Sequence, residues 1–127
     1  SRWSLLIVRG SFDGVRRFGD FPRGLWMARN ILTDRLRKLV DARLFITQPA
    51  SDGTSYQEYV LTPKGKSLFP VIVALRQWGE GNLFAPGEPH SLLIDTRTGH
   101  AIAPMFPCAD DGSELSAEAT RVRKLSD

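Results

Sequence analysis

A single cysteine, Cys108, in 127 residues leaves no intramolecular disulfide framework and fits a reducing, cytoplasmic compartment. Histidine is almost as scarce: His90 and His100, even taken with Cys108, fall short of a four-ligand zinc site, and no metal is expected. No apolar run approaches the roughly 20 residues that cross a bilayer. The first residues, Ser1 to Val8, have the pattern of a helix already under way instead of a signal peptide, so no membrane role is expected. There is no Gly-rich phosphate loop, and no cluster of His, Asp or Glu stands with a nucleophile at a recognisable spacing. Catalytic residues and cofactors are therefore not expected, and an enzyme is the class least supported.

Acidic residues are also unevenly scarce. Ser1 to Arg76 holds 13 Lys and Arg against 6 Asp and Glu, whereas Gln77 to Asp127 holds 4 against 8. The basic part points to a polyanionic partner. Its cations are spread over several expected elements instead of lining one interfacial helix, which favours nucleic acid over an anionic membrane.

What is present is concentrated between Phe18 and Leu44. Ile31, Leu32, Leu36, Leu39 and Val40 recur at helical spacing and make one apolar stripe. The opposite face carries Arg29, Asn30, Thr33, Arg37 and Lys38, with Asp34 and Asp41 as its only acids. Such a helix is anchored at its back and offers long cationic arms to a major groove. A solvated helix face has the same pattern, so context must decide. Arg17, Phe18, Phe21 and Leu25 form a short helical pattern just upstream, which is a helix-turn-helix spacing.

In chain order, the apolar run from Trp3 to Val8 predicts a buried helix ending near Gly10. A turn around Asp13-Gly14 follows, and a second helix is expected to open near Arg16, Arg17 and Phe18, with Phe18 and Phe21 turned inward. Arg16 and Arg17 then either reach a phosphate or serve as ordinary surface charge. After the amphipathic helix, Leu44–Thr47 and Tyr56–Thr62 flank a Gly-containing loop and read as a hairpin. A helix-turn-helix followed by a hairpin is a winged helix, with Ser51, Asp52, Gly53 and Thr54 at the wing. Thr62 is an N-cap candidate and Pro63 a first-turn residue for a long helix. Leu68, Val71, Ile72, Leu75 and Trp78 repeat along it, and the periodicity on both sides of Pro70 predicts one continuous element.

The runs WSLLIVRG, Arg17-Phe18, NILTDRLRKL (Asn30 to Leu39), EYVLTPKGKSL (Glu58 to Leu68) and ALRQWGE (Ala74 to Glu80) resemble successive blocks of the HxlR family of bacterial transcription regulators. The similarity spans Trp3 to about Gly81 in register. It implies a DNA-binding winged helix that works as a homodimer and represses or activates neighbouring genes in response to a small molecule or a redox signal.

The departures from that family are specific. Its members carry an N-terminal helix with a cysteine just before the tryptophan block, and this chain begins at Ser1, so thiol sensing is not assigned there. Glycine is usual where this chain has Trp26 and again where it has Arg43; Trp26 is expected to be core. Wings of the family often bear arginine, whereas Gln48 to Gln57 holds no cation.

Within this frame Arg29, Asn30, Thr33 and Arg37 are the expected base-reading residues, with Asn30 equally placed as a helix N-cap. Arg16, Arg17, Lys38 and Lys64 are the expected phosphate contacts, Lys64 because it sits at a helix start where free N–H groups converge. Trp3, Leu6, Leu68, Ile72, Leu75 and Trp78 are the expected dimer interface, since one recognition helix reads too few base pairs to single out a genomic site; the alternative for both stripes is that they close the monomer core. The alternative keeps the same fold as a protein–protein interaction module that does not read DNA.

Beyond Gly81 the composition changes. Pro86, Gly87 and Pro89 make a linker, two β-like runs flank Arg97-Thr98-Gly99, and Cys108 to Gly112 follows. The spacing resembles a zinc ribbon that has lost most of its thiolates. The expected architecture is α+β: a winged helix-turn-helix for DNA binding and dimerisation over residues 1–84, and a C-terminal β-hairpin appendage over 85–127. The expected partners are double-stranded DNA, a second copy of the chain and a small-molecule effector.

Overall fold

The architecture was taken from a computed structural model, which describes residues 2–21 and 28–126 and, among these, the side chains from Ser4 onward. The expected roles of Leu25 and Trp26 lie outside the described residues, as does the side chain of Trp3. Two compact units, Ser1–Val73 and Ala74–Asp127, divide within a helix.

In the first unit, α1 (Arg2–Phe12) buries Ile7 and Val8. It runs past Gly10, where a Cβ would meet only ordinary contacts with Phe21 and Val15, so nothing in the packing forces a stop. The terminating glycine is Gly14, at φ 97°. Val15 N–H donates to the Gly10 carbonyl (3.0 Å) and Gly14 N–H to the Ser11 carbonyl (3.1 Å), which are the two bonds of a Schellman turn.

The helix expected to open near Arg16 does not start there. Tyr59 N–H donates to the Arg16 carbonyl at 2.7 Å and Arg17 bridges antiparallel to Glu58, so this segment is extended and lies beside the wing. A single 3-10 turn, Phe18–Asp20, follows. Phe21 is fully buried and Phe18 packs against the core, as their spacing suggested.

Helix α2 (Arg29–Asp41) buries Leu32, Leu36 and Leu39, with Ile31 and Val40 packed at the margin. Its N-cap is Ala28, which has no capping side chain; Asn30 is the second helical residue and not the cap. The C-terminal end is a second Schellman turn, with Leu44 N–H on the Leu39 carbonyl (3.0 Å) and Arg43 N–H on that of Val40 (2.9 Å). The left-handed position falls on Arg43, at φ 65°, and among the described residues no other non-glycine has a positive φ. A side chain there costs about 1 kcal/mol relative to glycine. Arg43→Gly is therefore expected to raise stability by about 1 kcal/mol, a gain of a few degrees in melting temperature; a lower melting temperature would count against this account of the turn.

Strands β1 (Phe45–Pro49) and β2 (Gln57–Leu61) pair antiparallel, Phe45 opposite Leu61 and Pro49 opposite Gln57. Phe45 is buried and meets the Tyr59 ring edge-on at 6.4 Å, as does Phe21. These side chains complete one core with Ile7, Val8, Leu32, Leu36, Leu39 and Ile72.

Thr62 caps the next helix: its Oγ1 accepts from Gly65 N–H at 3.1 Å, and Pro63 takes the first position. The single long helix expected from here is broken. Pro70 has no N–H for the Lys66 carbonyl and its ring opposes that carbonyl. The chain instead forms α3 (Pro63–Lys66), a turn closed by Leu68 N–H on the Gly65 carbonyl (3.1 Å), and α4 (Phe69–Asn82).

In the second unit the tail hangs on the last turns of α4. The Gln77 side chain donates to the Ala103 carbonyl (3.0 Å) and accepts from Met105 N–H (2.7 Å), while Arg76 Nη1 donates to Ser91 Oγ (2.9 Å). The expected hairpin is reduced to one bridge, Ile94 to Ala101, around a turn in which Asp95 Oδ1 accepts from Arg97 N–H at 2.8 Å. A second bridge, Cys108 to Glu114, closes a similar turn with Asp111 Oδ1 accepting from Ser113 N–H at 2.9 Å. Single bridges replace strands because each run is short and largely exposed, with no buried face to extend the ladder.

Candidate nucleic-acid interface

The side chains with the chemistry to meet a polyanion gather on α2. Arg29, Asn30, Thr33, Arg37 and Lys38 are all exposed, and the leucines on the opposite face fix their rotation about the helix axis. Arg29, at the first helical position, lays its guanidinium over the Phe18 ring at 4.7 Å, which aims it without neutralising it. Thr33 Oγ1 donates to the Arg29 carbonyl at 2.9 Å.

Asp34 is the hub of the face. Its carboxylate takes Arg35 Nη1 at 2.6 Å, Arg37 Nη2 at 2.9 Å and Lys38 Nζ at 3.2 Å. The hydrogen bond from Lys38 is the main cause holding the Asp34 carboxyl below the usual range. One acid against three cations leaves the cluster positive, and the shared carboxylate keeps the long arms ordered. Arg35 went unnoticed in the sequence because it lies between the two faces; it is half-buried there.

The expected phosphate contacts separate. Arg16 and Lys38 are exposed. Lys64 donates from Nζ to the Ala42 carbonyl at 3.0 Å, so it caps the C-terminal end of α2. Arg17 is engaged by the wing: its Nη2 is ion-paired with Asp52 Oδ2, and its guanidinium lies 5.3 Å from the centre of the Tyr56 ring. Neither partner was apparent in the sequence.

The wing itself is a closed loop. Ala50 N–H donates to the Tyr56 carbonyl (3.0 Å), Gly53 turns at φ 79°, and Ser51 N–H donates to Glu58 Oε1 (3.3 Å). Asp52 Oδ1 accepts from Thr54 N–H at 3.0 Å. That backbone donor, followed by Arg17, lowers the Asp52 carboxyl to about 2. Because the folded value lies below the usual one, the stabilisation from this carboxylate is present above about pH 4 and is lost as pH falls towards 2. A side-chain carboxyl titration followed by NMR should place Asp52 near 2. Arg17→Gln should move it upward while leaving it below the usual range, since Thr54 still donates. A midpoint that Arg17→Gln leaves unmoved would show that the pair does not form, and a wild-type midpoint near 3.8 that the Thr54 bond is absent as well.

Of the expected interface residues, Ile72 is buried in the core and Leu68 packs against it. Leu6 is half-buried, whereas Leu75 and Trp78 are 51 % and 60 % exposed. Among the described residues no group of three or more His, Cys, Asp or Glu is placed to hold a metal, and no helix is long and apolar enough to cross a membrane.

An apolar-backed basic helix followed by a two-stranded wing defines the winged helix-turn-helix transcription regulators, an α+β class. Residues 1–85 match the HxlR-like helix-turn-helix family, and the chain belongs to it. It is 42 % identical over 116 residues to the uncharacterized HTH-type transcriptional regulator Rv3095 of Mycobacterium tuberculosis, covering 91 % of this chain and 73 % of that protein. The crystal structure of PA1607, described as a candidate transcription factor, superposes with a TM-score of 0.86 at 48 % identity over 96 % of this chain and 85 % of that one. The redox regulator HypR in its reduced form gives a TM-score of 0.58 at 27 % identity, over 65 % of this chain and 83 % of that one. The chain is thus a transcriptional regulator and not an enzyme.

Proposed function

We propose that the protein binds double-stranded DNA as a homodimer on an inverted-repeat operator and acts in the cytoplasm as a transcription regulator modulated by a small-molecule or redox signal. The observation that carries this is the outer face of α2, where five exposed polar side chains, three of them cationic, stand on a helix locked by three buried leucines. Arg29, Asn30 and Thr33 lie in the first turns, where side chains of a recognition helix reach base edges; Arg37 is a turn later. Arg16 and Lys38 supply phosphate contacts, with Lys64 close to the end of the same helix. Arg17 shares their charge but is already held by Asp52.

Dimerisation rests on Leu75 and Trp78, which are exposed large apolar side chains three residues apart on one helix. Two copies place two recognition helices about one turn of B-DNA apart, roughly 34 Å. A redox signal has support from the likeness to HypR, named as a redox regulator; the exposed Cys108 stands alone and is not assigned to it.

Arg29→Ala is expected to change base preference at one position of each half-site and to cost about 1–3 kcal/mol in binding. Competition binding on single-base operator variants measures it. A uniform loss across all variants would make Arg29 a phosphate contact instead. A protein-binding module would show no steep fall of DNA affinity with salt, whereas a DNA reader shows a log-log slope near −0.9 per phosphate neutralised.

A further inference from the structure

Arg17 and Asp52 are 35 residues apart; the sequence singled out Arg17 for phosphate contact and placed Asp52 in the wing. The fold spends them on each other. The main chain of Arg17 bridges to Glu58, and two contacts hold its guanidinium: the Tyr56 ring beside it and Asp52 on Nη2. The carboxylate is fixed as well, because Thr54 N–H holds its other oxygen at 3.0 Å. Between Gln48 and Gln57 this is the only charged side chain, so the wing presents one anion and no cation.

We propose that Asp52 is a built-in phosphate mimic, which occupies Arg17 and keeps it out of the set of cations that neutralise the DNA backbone. A carboxylate and a phosphodiester each offer two anionic oxygens to a guanidinium fork, so the two compete for one site. The wing therefore limits electrostatic affinity, and the specificity of the protein depends correspondingly more on α2. The pair is partly exposed, at 33 % and 49 % for the two side chains, so solvent screens it and it opens readily once its acid is removed.

This inference rests on the DNA-binding proposal, and the test separates the two. The full-length wild type, Asp52→Asn, Arg17→Gln and the double variant are titrated with a generic duplex over a range of salt. Asp52→Asn is nearly isosteric and exposed, and circular dichroism verifies its fold. It is expected to bind about three- to tenfold more tightly at 0.1 M salt, with a slope steeper by about 0.9 because one more phosphate is neutralised. Arg17→Gln should leave the wild-type slope unchanged, and the double variant should lose the extra contact. If Arg17→Gln flattens the slope by about 0.9 while Asp52→Asn leaves it alone, Arg17 already contacts DNA and the mimic is refuted. Four proteins that bind no duplex at all would remove the DNA proposal and this inference together.

Discussion

Gly65→Ala is expected to lower stability by about 3 kcal/mol or more, although the residue lies in a helix where alanine is intrinsically better by about 1 kcal/mol. The reason is a close approach of backbone to backbone. A Cβ at Gly65 would stand 2.3 Å from the Leu44 carbonyl oxygen and 2.8 Å from Leu61 Cδ2. The leucine tip can move, but the carbonyl cannot: it accepts Thr62 N–H at 3.0 Å and lies within 3.3 Å of Thr62 Oγ1. The same threonine caps α3, so displacing the carbonyl loosens the junction between α2, the wing and α3 at once. Against a total of roughly 5–15 kcal/mol for a domain, such a loss is a large fraction. Urea denaturation measures it. An increase in stability would mean that helix propensity decides at this position and that the close approach is absent.

Leu36→Ala is the second large effect, expected at about 3–4 kcal/mol. Leu36 is 1 % exposed at the middle of the α2 stripe, with Leu32 before it and Leu39 after. Its loss leaves a cavity beneath the helix that carries Arg29, Thr33 and Arg37. Burial of a leucine side chain contributes about 2 kcal/mol by area alone, and the unfilled space accounts for the remainder. An exposed neighbour such as Lys38 should change stability by less than about 0.5 kcal/mol on truncation to alanine. Equilibrium unfolding of the two variants side by side tests the account. A Leu36→Ala change no larger than that of the lysine variant would mean that α2 is not anchored as described.

Much of this architecture was legible because its causes are local. The α2 stripe, the Thr62-Pro63 helix start and the two wing strands follow from short-range pattern, and the structure has all three, with the first strand starting at Phe45 and running on to Pro49, past the expected end at Thr47. Position Arg43 shows a resemblance becoming physics: the glycine expected there by family likeness corresponds to a left-handed turn position, at φ 65°.

What escaped the sequence was non-local, or set two local rules against each other. Gly10 and Gly14 were both available to end α1, and only the main-chain bonds to Gly10 and Ser11 select the second. Pro70 was seen, yet the apolar spacing on either side outweighed it; the missing N–H decided otherwise. Arg16 and Arg17 looked like a helix start until the pairing with Glu58 and Tyr59 pulled them into the sheet. Periodicity grouped Ile72 with Leu75 and Trp78, but only packing shows that the first is buried and the others are exposed.

Selection of bound sequences from a random duplex pool tests the central claim most directly. The account predicts enrichment of an inverted repeat whose half-site centres lie about one helical turn, roughly 34 Å, apart. It also predicts that the same selection with Arg29→Ala degenerates one position in each half. A pool that stays random at low salt, or an enriched motif with no repeat that Arg29→Ala leaves intact, would contradict it.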